Sequence, residues 1–196
     1  MPRPLAPNMS IAAENCQIVL RERPTGSVDP SLQGKGTFEV KKTPIPSADS
    51  LKDGEVLIKT LFASIDPAMR GWLRDARSYL PPVQIGEVMR AGTASVVVGS
   101  KDASLKAGDC VTGTAGWQEY AVLKAKTLTK LDMSIPGVNL VDWLGPLGSS
   151  GQTAYWGLMD VGQLKGNGEV VVITGAAGSV GSVVSSVISM SFTQSC

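Results

Sequence analysis

No histidine occurs anywhere in the 196 residues. That absence removes Ser-His triads, imidazole general acids and the usual zinc and iron sites together. The three cysteines, Cys16, Cys110 and Cys196, lie far apart and form no C-x-x-C pair. They suit neither a zinc knuckle nor a dense disulfide framework, and a reducing, cytoplasmic setting is the simpler expectation. Charged residues reach only 18%, against roughly 25% in ordinary soluble domains. Eighteen basic residues face 17 acidic ones, leaving a net charge of +1. So balanced a chain gives no electrostatic reason to expect a nucleic acid or an anionic membrane as partner. Met1, Pro2, Arg3 and Pro4 lead into no apolar run, so no secretory signal is expected.

Charge is also missing from one end. Every charged residue lies between Arg3 and Glu169, and none follows from Val170 to Cys196. Two readings compete. One is a buried strand and helix of an α/β core, apolar because both faces are covered. The other is a tail-anchoring membrane helix, which needs about 20 apolar residues. Gly175, Gly178 and Gly181 and the serines at 179, 182, 185, 186 and 189 make a poor lipid-facing surface. The core reading is preferred.

What the chain does have is glycine and proline, 22 and 12 residues, spaced as turn punctuation. Residues 1–13 read as a flexible arm. Strand-like runs follow at 17–20, 37–41, 55–61, 94–98, 110–114 and 119–123. They are separated by turn clusters such as Lys52-Asp53-Gly54 and Lys106-Ala107-Gly108-Asp109. Many short strands with regular turns predict a barrel-like β domain. The texture changes near residue 135. Pro136 is expected to open a short helix ending near Leu144, and a second helix is expected over 151–161. Val170, Val171, Val172, Ile173 and Thr174 then read as a central parallel strand. Val180, Val183, Val184, Val187 and Ile188 lie on one face of a following helix.

Between that strand and helix stands Gly175-Ala176-Ala177-Gly178-Ser179-Val180-Gly181. Against the dinucleotide pattern G-x-G-x-x-G it keeps Gly178 and Gly181 and places Ala176 at the first glycine. Gly178 would let backbone approach a pyrophosphate, Gly181 would allow close packing, and the helix N-terminus would face the phosphates. A tight connection of no functional meaning has the same local sequence, but a strand before and an amphipathic helix after favour the cofactor reading. Gly34-Lys35-Gly36-Thr37 lacks the spacing of a P-loop, and no G-x-S-x-G occurs.

Several separated segments complete a pattern. They are Ser64-Ile65-Asp66-Pro67-Ala68-Met69-Arg70-Gly71, Ser78-Tyr79-Leu80-Pro81-Pro82, Ile85-Gly86-Glu87-Val88-Met89 and Gly108-Asp109-Cys110-Val111. Gly116-Trp117-Gln118-Glu119-Tyr120, Gly151-x-Thr153-Ala154-Tyr155 and the turn at 176–182 follow in order. Over residues 14 to 184 the set resembles the zinc-independent medium-chain dehydrogenase/reductases. Within them it is most similar to the branch of prostaglandin reductases, curcumin reductases and NADPH-dependent alkenal double-bond reductases.

The resemblance implies a two-part α/β protein. A GroES-like β-barrel domain at 14–135 would be followed, at 136–196, by the first β-α unit of a Rossmann domain. It implies hydride transfer from NADPH to the C=C bond of an α,β-unsaturated aldehyde or ketone without metal. The partners implied are that small enone or enal and, in a longer form, a second copy in a homodimer, with no nucleic acid and no membrane. Ala177, Gly178, Ser179, Val180 and Gly181 would cradle the pyrophosphate, Thr153 would lie near the nicotinamide, and Tyr79 would line the substrate cleft. The family's substrate-contacting tyrosine falls outside the matching part, so no catalytic residue is assigned.

Tyr79 has a plainer reading beside the Pro81-Pro82 turn, as a partly buried aromatic. An Asp66–Arg70 pair is expected to order its loop rather than to act in catalysis. Ala68 stands where many relatives carry tyrosine. The final residues, Ser191-Phe192-Thr193-Gln194-Ser195-Cys196, depart from the family, and the expectation is a C-terminally truncated member, inactive by itself and weak in NADPH binding, whose strand at 170–174 has unpaired edges. The alternative is a non-catalytic chain whose β-barrel part folds.

Overall fold

A computed structural model describes residues 14–192 apart from Gln33 and Asn167. The expected arm at 1–13 and the end of the tail lie outside the described residues. The chain divides into two compact units, one ending at Gly137 and the other beginning at Val138.

In the first unit β1 (Asn15–Leu20) and β2 (Phe38–Thr43) pair antiparallel, with Leu20 opposite Phe38. β3 (Glu55–Ala63), β4 (Thr93–Ser100), β5 (Cys110–Gly113), β6 (Tyr120–Lys124) and β7 (Thr129–Lys130) form a second antiparallel sheet, in the order β6-β3-β4-β5-β7. All six expected strands form, shifted by no more than two residues at either end. β7, two residues long, is too short to show a period in sequence.

β1 ties the sheets together. Along the edge not used by β2, Ile18 N–H donates to the Trp117 carbonyl at 2.8 Å and Glu119 N–H to the Cys16 carbonyl at 3.0 Å. Met89 N–H donates to the Ile18 carbonyl at 2.9 Å. Asn15 is buried at the strand's start. Its amide donates to the Tyr120 carbonyl and accepts the Tyr120 N–H, both at 2.9 Å, so one side chain supplies two ladder bonds to β6.

The middle of β3 has no solvent face. Val56 and Ile58 pack with Val97, Leu105 and Val111, while Leu57 on the opposite face packs with Leu51 and Tyr120. Another cluster of Leu20, Phe38, Met69, Leu73, Val83 and Met89 brings the one-turn helix α1 (Met69–Trp72) under β1.

Turn chemistry repeats. At 52–55, 84–87, 106–109 and 166–169 the third residue is a glycine at positive φ, between +73° and +89°. The acid that follows accepts the N–H of the turn's first residue, at 2.9, 2.7, 2.9 and 2.8 Å. Only glycine takes that φ without strain, and the carboxylate closes the turn that it creates. Gly86-Glu87 and Gly108-Asp109, two of the segments that carry the resemblance, are therefore turn devices. The Lys52 N–H, followed by Lys124, holds the Glu55 carboxyl below its ordinary range. The Lys130 ammonium at 2.7 Å, followed by the Lys106 N–H, does the same for Asp109.

In the second unit the helix expected at Pro136 starts later, as a 3-10 turn over Leu140–Leu144. Gly137 at φ +80° interrupts the chain, and Asn139 N–H donates to the Asp142 carboxylate at 2.7 Å to fix the start. The second expected helix is α2 (Ser149–Trp156), which widens into a π-turn at Gly157–Val161. A Cβ on Gly151 would overlap the Pro146 carbonyl, so glycine is required where the two segments cross.

The third helix, α3 (Ser179–Phe192), buries the face read from its spacing: Val180, Val183, Val184, Val187 and Ile188 are all half-buried. Its serines satisfy themselves. The hydroxyls of Ser182, Ser185 and Ser186 donate to the carbonyls of Ser179, Gly181 and Ser182 at 3.0–3.1 Å.

One expectation is corrected. Residues 170–174 form no ladder with any described residue, and Val170 and Val172 are 89% and 83% exposed. A parallel strand exists only through a neighbour's hydrogen bonds, however strong its β-branched propensity. The alternation survives without the ladder, since Val171 and Ile173 are half-buried. No described helix is long and apolar enough to cross a membrane.

Two outcomes follow for the β unit. Asn15→Ala leaves the Tyr120 N–H and carbonyl buried without partners, and the expected loss is about 2–4 kcal/mol in urea unfolding. An unchanged midpoint would mean that the clasp is dispensable. Because folding lowers the Glu55 and Asp109 pKa values, their contribution is complete above the unfolded carboxyl value of about 4 and is lost as pH falls through the folded values. The melting temperature is therefore expected to drop on acidification below about pH 4. Asp109→Asn should flatten that limb, and an identical acid profile would contradict it.

Candidate functional site

The glycine turn is built by its own backbone. Gly175 takes φ +67°, and its carbonyl accepts the Gly178 N–H at 2.9 Å. The first bond of α3 runs from the Ser182 N–H to the Gly178 carbonyl at 2.9 Å. The N–H groups of Ser179, Val180 and Gly181 thus head a 14-residue helix without intrahelical acceptors, at the positive end of its dipole.

The two glycines have different reasons to be glycine. A Cβ on Gly181 would strike the Gly175 carbonyl oxygen and lie 2.9 Å from Ala176 Cα. A Cβ on Gly178 meets only the Gly175 oxygen, at 3.2 Å, with nothing else near. Gly181 closes the turn, whereas Gly178 keeps its outer face bare.

The turn borders a groove of about 530 Å³ within the second unit. Residues 171–175 line one side, and Gly178, Ser179, Val180, Gly181 and Val184 line another. Leu158, from the π-turn after α2, completes it. No lining side chain carries a charge. The lining fits an anionic diphosphate held by backbone N–H groups rather than by basic side chains.

Of the residues expected at a cofactor site, Gly178, Ser179, Val180 and Gly181 line this groove. Ala177 is exposed in the turn but outside the lining, and so is Thr153, exposed on α2. Leu158 escaped the sequence reading, because nothing local marks a helix that widens by one residue per turn.

In the first unit Tyr79 is 76% exposed. Its hydroxyl accepts a hydrogen bond from Trp72 Nε1 at 3.1 Å, which makes it neither buried nor free. The expected Asp66–Arg70 ion pair does not form. Asp66 accepts the Ser64 hydroxyl at 2.8 Å, and Arg70 donates to the Gly26 carbonyl at 2.6 Å. The longer reach of arginine lets it tie the 24–26 loop to α1. Cys110 is buried, and burial first, then the Asp109 charge, push its thiol above the ordinary range. That is the opposite of an activated nucleophile.

A family model described as the N-terminal domain of oxidoreductase matches residues 16–131. The chain is 40% identical over 171 residues to the NADPH-dependent curcumin reductase of Escherichia coli, covering 87% of this chain and 46% of that one. It is 38% identical over 150 residues to prostaglandin reductase 1 of Mus musculus, covering 76% and 42%. The crystal structure of CurA from Vibrio vulnificus, known also in complex with NADPH, superposes with a TM-score of 0.74 at 36% identity. That match covers 90% of this chain and 49% of CurA. The chain spans about half the length of the curated relatives it matches.

The glycine geometry yields a differential outcome. Gly181→Ala forces the turn apart and is expected to cost about 1–3 kcal/mol, with faster amide exchange over the first turn of α3. Gly178→Ala, with only a 3.2 Å neighbour, should stay within about 1 kcal/mol of the parent. Equal effects at the two positions would refute the division of roles.

Proposed function

Because the chain belongs to the medium-chain dehydrogenase/reductase family of oxidoreductases, we propose that a form of the protein as long as its relatives reduces the C=C bond of α,β-unsaturated aldehydes and ketones at the expense of NADPH. The observation that carries this reading is the bare glycine turn at the head of α3, opening on an uncharged groove. When bound, NADPH supplies the hydride that the substrate's β-carbon accepts.

The chain's own residues bind and orient. The N–H groups of Ser179, Val180 and Gly181 receive pyrophosphate oxygens, Gly178 leaves room for them, and Ala177 completes the turn. Thr153 lies near the nicotinamide in this reading, and Tyr79 contacts substrate. Charge developing on the substrate oxygen is met by hydrogen-bond donors. Without histidine there is no imidazole to hold zinc, and the reaction proceeds without it. In this reading the longer form works in the cytoplasm, on small molecules, as a homodimer.

A second reading has one observation in its favour, the unpaired run at 170–174. In it the β unit folds, but the polypeptide neither grips the nucleotide nor turns over.

The assay is NADPH consumption with 4-hydroxyalkenals and aryl enones by a form as long as the relatives, before and after dialysis against a chelator. Turnover that survives dialysis is expected. Loss of activity that added zinc restores would refute the metal-free mechanism. Gly178→Val is expected to abolish NADPH binding with the fold kept, because a branched side chain fills the bare face. An unchanged dissociation constant would reduce the turn to a connection. The 196-residue chain by itself is expected to show neither turnover nor tight NADPH binding, and absence of both in the longer form as well would select the second reading.

A further inference from the structure

A cluster outside the glycine groove joins Trp72, Tyr79 and Arg90. The Arg90 guanidinium sits 5.5 Å from the Trp72 ring centroid, and its Nη1 donates to the Pro81 carbonyl at 3.1 Å. Trp72 Nε1 donates to the Tyr79 hydroxyl at 3.1 Å. The loop that carries Tyr79 is anchored at both ends, by buried Leu73 and Val83 and by the bond from Val83 N–H to the Trp72 carbonyl at 2.9 Å. Arg23 adds a bond to the Leu73 carbonyl at 2.9 Å. An exposed tyrosine usually rotates freely, but this one is held at the base of its loop and at its hydroxyl.

The direction of the Trp72 bond matters. Indole N–H can only donate, so the Tyr79 oxygen is the acceptor and its single proton remains for another partner. A cation over the indole face is attracted to the ring and polarises it, strengthening the N–H as a donor. That bond in turn makes the phenol a better donor through its remaining proton.

We propose that Trp72 and Arg90 are positioning residues that set the Tyr79 hydroxyl as a hydrogen-bond donor to the carbonyl oxygen of an aryl enone. This rests on the proposed reductase reading and names the group that would recognise the ketone. The ligand class follows from the site: one phenolic proton not used by Trp72 for a carbonyl, beside the exposed Tyr79 ring for an aryl group. No bond is made or broken in the subsite.

Direct binding tests it apart from turnover. Calorimetry compares benzylideneacetone with its carbonyl-free counterpart, β-methylstyrene, against the parent and five variants. Tyr79→Phe is expected to weaken the ketone about fivefold and leave the hydrocarbon unchanged. Trp72→Phe keeps a ring and deletes the donor, and should weaken the ketone about threefold. The double variant should be no weaker than Tyr79→Phe alone, because Trp72 acts only through Tyr79. Arg90→Gln should behave like Trp72→Phe, while Arg90→Lys, which keeps the cation, should bind as the parent does. Should Trp72→Phe fail to fold, Arg90→Gln with Tyr79→Phe completes the same cycle. Additive losses, equal losses for both ligands, or no ketone binding by the parent would overturn the proposal. Tyr79-dependent ketone binding without NADPH consumption by the longer form would uphold the subsite and refute the reductase reading.

Discussion

β1 is bonded along both edges, and the first unit depends on it. On one side it pairs with β2. On the other it receives segments near residues 87–89 and 117–119, and Asn15 clasps Tyr120 across a separation of 105 positions. Buried amide and carbonyl groups must be partnered or cost about 1–3 kcal/mol each. The clasp therefore fixes where β6 lies relative to β1. β3 then lies between β6 and β4 with both faces covered, and apolar clusters fill what remains.

The part of the second unit after Glu169 solves a different problem, which is how to remain ordered without charged side chains. Beyond Glu169 there are no ion pairs to form. Residues 171–174 line the groove, and the hydroxyls of Ser182, Ser185 and Ser186 return their bonds to carbonyls of the same helix. The outcome is a helix N-terminus whose donors face a neutral groove. An anion there meets oriented N–H groups and no competing carboxylate. Glycine contributes twice, once by sparing a collision at Gly181 and once by leaving Gly178 bare.

Tyr79 shows how exposure and order can coexist. Its ring is mostly solvent-facing, yet its hydroxyl is bonded and its loop ends in buried residues. The four acid-closed glycine turns follow the same economy of short-range bonding. The turns at 52–55 and 106–109 lead directly into β3 and β5 and leave those strands few ways to pair out of register.

Local chemistry was legible from the amino-acid sequence alone. Strand positions follow from alternation and turn residues, the buried face of α3 from 3.6-residue spacing, and the glycine turn from its place before a helix. Each depends on neighbours within a few positions. What needed the tertiary structure depends on distant partners. β7 exists only against β5, and Arg70 prefers the Gly26 carbonyl to nearby Asp66 because the 24–26 loop is folded over it. The Trp72, Tyr79 and Arg90 cluster is assembled by the packing of α1 on β1. The run at 170–174 has the residues of a strand and no ladder, because a strand is made by its neighbour's hydrogen bonds and propensity supplies none.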